Sequence, residues 1–400
     1  MLTKEEFLRI TEQYNLDKSG VPREDYKEKL VPSLERKEIL ILKGVRRCGK
    51  TTILKQLIQH LKAHGVKAEN ILYVNFDDFN FLPHLSFELL ELMLSTRNLK
   101  EKQYLFLDEI QKIPQFESWL KTYYDREINA KFIISGSNAS LLAKDLATLL
   151  TGRNLTHEIF PLTYNEYKRF KPGGTLTEYM EYGGFPEVVL ETSKEQKLNL
   201  LRNYVSDIIN KDILQRRAIR NQQQLLTIIQ YVLSNPGIKL SINKLATLTK
   251  ASKDTVSKYL EYMIDAYLLI EVSYFSFSVK ARFHQTQSPK YYALDNGFYR
   301  VNTTRTQQGN LCENMIANTL RRTHEQIAYW SEGKSEVDFV VKETAINVTT
   351  ATDIPPREAQ GLEDIKKKHK RLKKFIILNP TKEEKKENIR YVKIEDFLQE

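Results

Sequence analysis

From residue 38 to about residue 160 the chain repeats one alternation, a short apolar run followed by a segment with apolar residues at helical spacing. The apolar runs are EILIL (38–42), ILYVNF (71–76), QYLFLDE (103–109) and KFIIS (131–135). Between them lie TTILKQLIQHLKAHG (51–65), SFELLELMLS (86–95) and FESWLKTYYD (116–125). Runs this short read as buried strands, and the intervening segments as amphipathic helices. Strands separated by a whole helix need crossover connections. The pattern therefore predicts an α/β domain with a mostly parallel sheet covered on both faces, doubly wound and of nucleotide-binding type.

Beyond this core the pattern changes. Residues 1–36 read as a polar helical arm, 37–160 as the α/β core and 161–220 as a helical lid, punctuated by KPGG (171–174) and GGFPE (183–187). Residues 221–283 predict two helices joined by the turn TKAS, then strand-prone residues near IEVSYFSF, the plan of a winged helix. Val256, Leu260, Met263 and Tyr267 share one face of its second helix and should pack on the first. The opposite face offers Lys253, Ser257 and Lys258 beside Asp254 and Glu261. That mixture leaves two readings open, contact with DNA in the major groove or packing against a partner. Residues 284–310, which contain the polar NTTRTQQGN, read as a connecting segment into a last domain at 311–400.

Composition narrows the function classes. With 41% hydrophobic and 28% charged residues over 400 positions, the chain suits two or three ordinary globular domains. No apolar run approaches the roughly 18 to 20 residues of a membrane span. The start, MLTKEEFLRITEQYN, lacks the basic end and apolar stretch of an export signal. Two cysteines give no disulfide framework, so a cytoplasmic protein without membrane partners is expected. The net charge of +10 favours polyanionic partners, nucleotides or DNA, although many basic proteins bind no nucleic acid.

The first chemical motif falls between the first strand and its helix. GVRRCGKT (44–51) has the G-x-x-x-x-G-K-[ST] spacing of a phosphate loop, the Walker A motif, in the strand-loop-helix context it requires. Gly44 and Gly49 permit a tight turn whose amides point inward, and the helix aims its positive end at the same place. The loop residues Val45, Arg46, Arg47 and Cys48, with Thr52 just beyond, complete the cradle. Lys50 is spaced to reach the β and γ phosphates of ATP, and Thr51 to ligate Mg2+. Arg46 and Arg47 stand at variable positions and add cations near the phosphates, or face a partner subunit or the lid.

QYLFLDEIQ (103–111) supplies the second, a Walker B pattern. Its apolar run delivers Asp108 and Glu109 to the carboxyl end of a buried strand, where ligands bind in open α/β sheets. Asp108 is expected to support the metal and Glu109 to polarise the attacking water, against a structural ion pair for Glu109. KFIIS ends in GSN, so Ser135, Ser137 or Asn138 is placed to sense the γ-phosphate or to cap a turn. Asn138 stands for the trio among the candidate catalytic residues.

In order, GVRRCGKTT (44–52), LFLDEIQ (105–111), FIISGSNASLL (132–142), LLTGRNLTHEIFPLTYNEY (149–167) and GGFPE resemble the AAA-type ATPase family of archaea and bacteria that carries an appended C-terminal nuclease-like domain. The resemblance covers nearly all the chain after residue 36. It implies a homo-oligomer in which Arg153, in LTGR, reaches the γ-phosphate of a neighbouring subunit. Such fingers are worth roughly 10³ to 10⁵ in rate. A local pair with an acid such as Glu158 is the plainer alternative.

The last domain resembles the PD-(D/E)XK nuclease fold of the same family. Its helix NLCENMIANTLRR (310–322) carries Glu313, and the strand EVDFVV (336–341) carries Asp338, both matching the metal-binding pattern. Where Glu-x-Lys should follow, the chain has Asn347, Val348 and Thr349, which supply neither an anionic ligand nor an ammonium. The domain is therefore expected to bind rather than cleave. IKKKHKRLKKF (365–375) reads equally as a solvated helix face or as a grip on nucleic acid. The whole implies Mg2+-dependent ATP hydrolysis coupled to the C-terminal modules. The rivals are a nucleotide-gated DNA-binding regulator with little turnover and a scaffold that ATP merely stabilises.

Overall fold

Four of the apolar runs form strands, β1 (Ile39–Gly44), β2 (Ile71–Asn75), β3 (Gln103–Asp108) and β4 (Ala130–Ser137). The computed structural model describes residues 2–137, 150–276 and 288–399, and the chain divides into two units, Met1–Phe160 and Pro161–Glu400. No helix among the described residues is long and apolar enough to cross a membrane.

In the first unit a fifth strand, β5 (Asn154–Glu158), joins the other four in the order β2-β3-β4-β1-β5, every neighbouring pair parallel. The helices are α1 (Lys4–Glu12), α2 (Glu24–Leu34), α3 (Lys50–Ala63), α4 (Phe87–Ser95) and α5 (Phe116–Asp125). The α/β class with a parallel sheet is as expected. The first 36 residues are more than an arm: Phe7 and Ile10 of α1 sit in one apolar cluster with Ile41, Leu72, Leu107 and Ile134 of the sheet. The residues of β5, NLTHE, carry little apolar pattern, so the alternation of apolar runs does not reveal this strand. It pairs along β1 at the end of the sheet.

The second unit begins with four helices, α6 (Tyr164–Phe170), α7 (Leu176–Tyr182), α8 (Pro186–Leu190) and α9 (Lys194–Asp207), the last continuing as a π-helical stretch at Ile208–Leu214. Three more follow, α10 (Gln222–Leu233), α11 (Ile242–Thr249) and α12 (Lys253–Asp265). Val256, Leu260 and Met263 are buried on the inner face of α12, whereas Tyr267, also buried, lies beyond the end of the helix at Asp265 in a left-handed conformation, φ 57°.

β6 (Leu269–Tyr274) and β7 (Lys290–Ala293) then pair antiparallel. After them come α13 (Asn296–Asn302), α14 (Gln308–Thr323), β8 (Ala328–Glu332), β9 (Ser335–Val341), β10 (Thr344–Val348), α15 (Pro356–Lys368), β11 (Lys374–Asn379), β12 (Glu384–Lys386), β13 (Ile389–Lys393) and α16 (Ile394–Gln399). Eight strands make one sheet, β12-β13-β11-β10-β9-β8-β6-β7. Strand β6 belongs both to the hairpin after the helices and, through Ser273 and Tyr274 paired with Ala328 and Tyr329, to the sheet of the last ninety residues. The modules drawn apart in the sequence thus share a sheet. Residues 290–302, expected within a connecting segment, are instead a buried strand and helix.

GGFPE has a structural role in this unit. The backbone amides of Gly184 and Gly297 each donate to the buried Asp295 carboxylate at 2.8 Å. A Cβ on Gly184 would lie 2.4 Å from the Leu162 carbonyl oxygen, so no larger residue fits.

Candidate functional site

The phosphate loop closes over what only glycine permits. A Cβ on Gly44 would stand 2.1 Å from the Ile159 carbonyl oxygen, and Gly49, at φ 102°, turns the chain into α3. Arg47 also takes a left-handed conformation, φ 67°, with its side chain exposed, while Arg46 is half-buried. Val45 and Cys48 are buried beneath the loop, Thr52 is half-buried on α3, and burial pushes the Cys48 thiol up. Both cysteines, Cys48 and Cys312, are free thiols. Lys50 is buried and folds back, its Nζ donating to the carbonyls of Gly44 at 2.9 Å and Val45 at 3.0 Å. An anionic oxygen entering the loop would compete for the same ammonium.

Parallel pairing brings β3 to end beside the loop. Thr51 Oγ1 donates to Asp108 Oδ2 at 2.7 Å, Tyr73 OH donates to the same oxygen at 2.8 Å, and Ser135 Oγ bonds to Oδ1. Burial, and then the charge of Glu109, push the Asp108 carboxyl up, against the three hydroxyl donors that hold it down. Glu109 follows in a left-handed conformation, φ 54°, its amide facing Ser135 Oγ at 3.4 Å and its carboxylate receiving the Gln111 amide. Of the expected trio, Ser135 is thus at the carboxylates. Ser137 ends β4, and Asn138 lies outside the described residues.

Tyr73 carries no signal of a site in the sequence. It sits inside an apolar strand where aromatic residues are ordinary, and only the register Asn75 opposite Asp108 puts it at the site. Its hydroxyl is pushed far up by burial and by Asp108, and its ring meets Tyr14 edge-on at 5.2 Å between centroids.

Arg153 lies elsewhere. Its carbonyl accepts from the Ile39 amide, at the start of β1, whereas the phosphate loop follows the end of that strand. Five residues of strand put roughly 17 Å between the two levels. Its acid is Asp125 rather than Glu158: Nε donates to Oδ1 at 2.8 Å and Nη2 to Oδ2 at 3.4 Å. The guanidinium holds the Asp125 carboxyl below its usual range.

A second polar cluster occupies the other unit. Lys290 is buried on β7, its Nζ 2.7 Å from Glu336, 3.3 Å from Glu313 and 3.9 Å from Asp338, while Tyr292 OH donates to Glu313 at 2.5 Å. Burial works to lower Lys290, but the surrounding carboxylates outweigh it and raise the ammonium. Burial and Glu313 push Asp338 well up, and burial pushes Glu358 up. Asn347 is a structural tie, accepting from the Asp338 amide at 3.0 Å and donating to the Glu358 carbonyl at 2.9 Å.

An ammonium thus reaches Glu313, Glu336 and Asp338 from β7, a strand within the stretch read as a connecting segment. Among the described residues no group of three or more His, Cys, Asp or Glu is arranged to hold a metal ion. The basic run lies on the end of α15 and the turn beyond. Its residues are largely exposed, and Lys367, Lys368 and Lys373 pair with Asp364, Glu332 and Glu343.

Residues 36–168 match the family described as an AAA domain, and two domains of unknown function match 173–308 and 308–397. An uncharacterized protein of Methanocaldococcus jannaschii is 31% identical over 349 residues, 81% of this chain and 76% of that protein. One of Haemophilus influenzae is 28% identical over 380 residues, 89% and 94% of the two chains. Among solved structures, the Thermotoga maritima RuvB Holliday junction branch migration motor matches 68% of this chain and 92% of its own at 19% identity. The TM-score of that match is 0.34.

Proposed function

Because the chain belongs to one family with the M. jannaschii protein and carries an AAA domain, we propose that it binds ATP with Mg2+ in the loop 44–52 and hydrolyses it. The observation that carries this reading is the convergence of Lys50, Thr51 and Asp108 at one loop, with a hydroxyl and a carboxylate oxygen 2.7 Å apart. An oxygen pair of this kind suits a hard divalent cation that keeps several of its waters. Mg2+, when bound, supplies positive charge to the β and γ phosphates.

The chain's own groups do the rest. Gly44 and Gly49 let the loop amides converge, and Lys50 exchanges its two carbonyl partners for phosphate oxygens. Glu109 accepts a proton from the attacking water, and Ser135 keeps the two acids in register. Such a base contributes roughly 10² to 10⁴ in rate.

Turnover is coupled to the work of the second unit on nucleic acid or protein. Three helices followed by the β6–β7 hairpin support a winged-helix reading there, although α12 exposes Lys253 and Lys258 beside Asp254 and Glu261, with no surplus of cations. The nuclease-like outline supports binding rather than cleavage, because Asn347 is taken up by ties to Asp338 and Glu358 and offers no anionic ligand.

The test combines nucleotide binding with turnover. Glu109→Gln should keep ATP affinity and lose hydrolysis at least a hundredfold, while Lys50→Ala should lose affinity. A wild-type protein that binds neither ATP nor ADP would end this reading. Salt-dependent DNA binding with ATP bound but never hydrolysed would replace it by the regulator.

A further inference from the structure

We propose that Arg23 is a positioning residue for the phosphate loop, an inference that rests on the ATP-binding reading. Arg23 lies thirteen residues before the matched AAA domain begins at residue 36, yet its side chain is 1% exposed and ends beneath the loop. Nη1 donates to the Cys48 carbonyl at 2.9 Å and to the Phe160 carbonyl at 3.0 Å. A guanidinium taken so far out of water is costly unless its donors are met by fixed acceptors. One of those acceptors belongs to the phosphate loop itself.

The peptide between Cys48 and Gly49 explains what the contact does. In a trans peptide the carbonyl and the following N–H point to opposite sides. Anchoring the Cys48 carbonyl on Arg23 turns the Gly49 N–H the other way, toward the face of the loop where amides receive an anion. A cation on the carbonyl also polarises the peptide, which makes that N–H a stronger donor. Gly49, at φ 102° and without a Cβ, places little steric restraint of its own on this peptide.

The segment carrying Arg23 is itself fixed to the helix that follows the loop. The Arg23 amide donates to Gln56 Oε1 at 3.1 Å, and Gln56 Nε2 donates to the carbonyls of Ser19 at 2.8 Å and Val21 at 3.0 Å. The Tyr26 ring lies 4.5 Å beneath the guanidinium and prevents it from swinging away. Loop, helix and preceding segment thus form one braced unit with Arg23 at its centre.

ADP affinity of the full chain with Mg2+, measured by titration calorimetry beside thermal melting, tests this. Arg23→Ala should weaken ADP binding at least tenfold, and low millimolar guanidinium should restore part of the loss where equal urea does not. Gln59→Ala, which releases the same segment at Leu16 and Asp17, should lower the melting temperature and leave ADP affinity unchanged. If Arg23→Ala fails to fold, Arg23→Lys, which keeps a cation but reaches fewer carbonyls, should show an intermediate loss of affinity. Wild-type affinity in a folded Arg23 variant, or equal rescue by urea, overturns the proposal and leaves the ATP reading standing. A wild-type chain that fails to bind ADP removes both.

Discussion

Thr51 Oγ1 lies 2.7 Å from Asp108 Oδ2, so the first turn of α3 and the last residue of β3 are joined by one hydrogen bond. Without a cation, that bond and those from Tyr73 and Ser135 are what compensate a carboxylate buried beside Glu109. The site is organised around a charge that the protein alone satisfies poorly.

Asp108→Asn should therefore stabilise the nucleotide-free protein while abolishing Mg2+-dependent hydrolysis. The sign follows from the raised carboxyl: a folded-state value above the unfolded one makes ionisation cost stability as pH rises past the ordinary carboxylate range. The gain in melting temperature should accordingly be larger at pH 8 than at pH 4. A variant less stable than wild type at both pH values would show that Asp108 is a structural anchor instead.

Asp295 offers a second pH effect, in the other unit. Burial raises its carboxyl from 3.8 to about 6, a gap worth roughly 3 kcal/mol. The folded state prefers the protonated acid, so stability from this group is full below pH 3.8 and is lost as pH rises toward about 6. The difference in unfolding free energy between wild type and Asp295→Asn should move against wild type by that amount between pH 4 and pH 7. Denaturant titrations at several pH values measure it, and a flat difference would count against the assignment.

Much of the first unit was legible because parallel strands buried on both faces leave continuous apolar runs, and because a phosphate loop has fixed spacing. The strand before Gly44, the helix starting at Lys50 and the strand ending at Asp108 are all present. Tyr73 and Arg23 make their contacts through strand register or main-chain acceptors, which leave no mark on local pattern, whereas Ser135 stands among the three candidates at the end of its strand. The segment at 290–302 was opaque for a different reason. Lys290, Asp295 and Asn296 look like linker residues, yet each is buried and met by partners from far along the chain, such as Glu336 for Lys290 and Leu311 for Asn296. Polarity tells of exposure only where no partner waits.

Lys290→Met should destabilise the second unit by about 3 to 5 kcal/mol near neutral pH, the usual cost of leaving buried charges without their partner. The loss should shrink as pH falls, because Asp338 and Glu358, both raised, then take up protons in place of the ammonium. If Lys290 stands where a metal otherwise would, Mn2+ should raise the melting temperature of the variant and leave wild type unmoved. Cleavage of labelled DNA by wild type with Mn2+, lost on Asp338→Ala, would instead make the cluster a working nuclease centre.

Arg153 is the residue whose two readings part most cleanly. Its pair with Asp125 is partly exposed, so Arg153→Ala should change the melting temperature little. Its position at the opposite end of β1 from the loop excludes contact with a triphosphate held by the same chain. Any catalytic contribution must come from a neighbouring copy. Arg153→Ala and Glu109→Gln should then each be inactive alone and regain turnover when mixed, because an Arg153→Ala subunit keeps its own Glu109 and receives an intact arginine from its neighbour. Hydrolysis rates against mixing ratio check this, with the maximum expected near equal proportions. Full activity of Arg153→Ala alone, or no recovery on mixing, reduces Arg153 to the partner of Asp125.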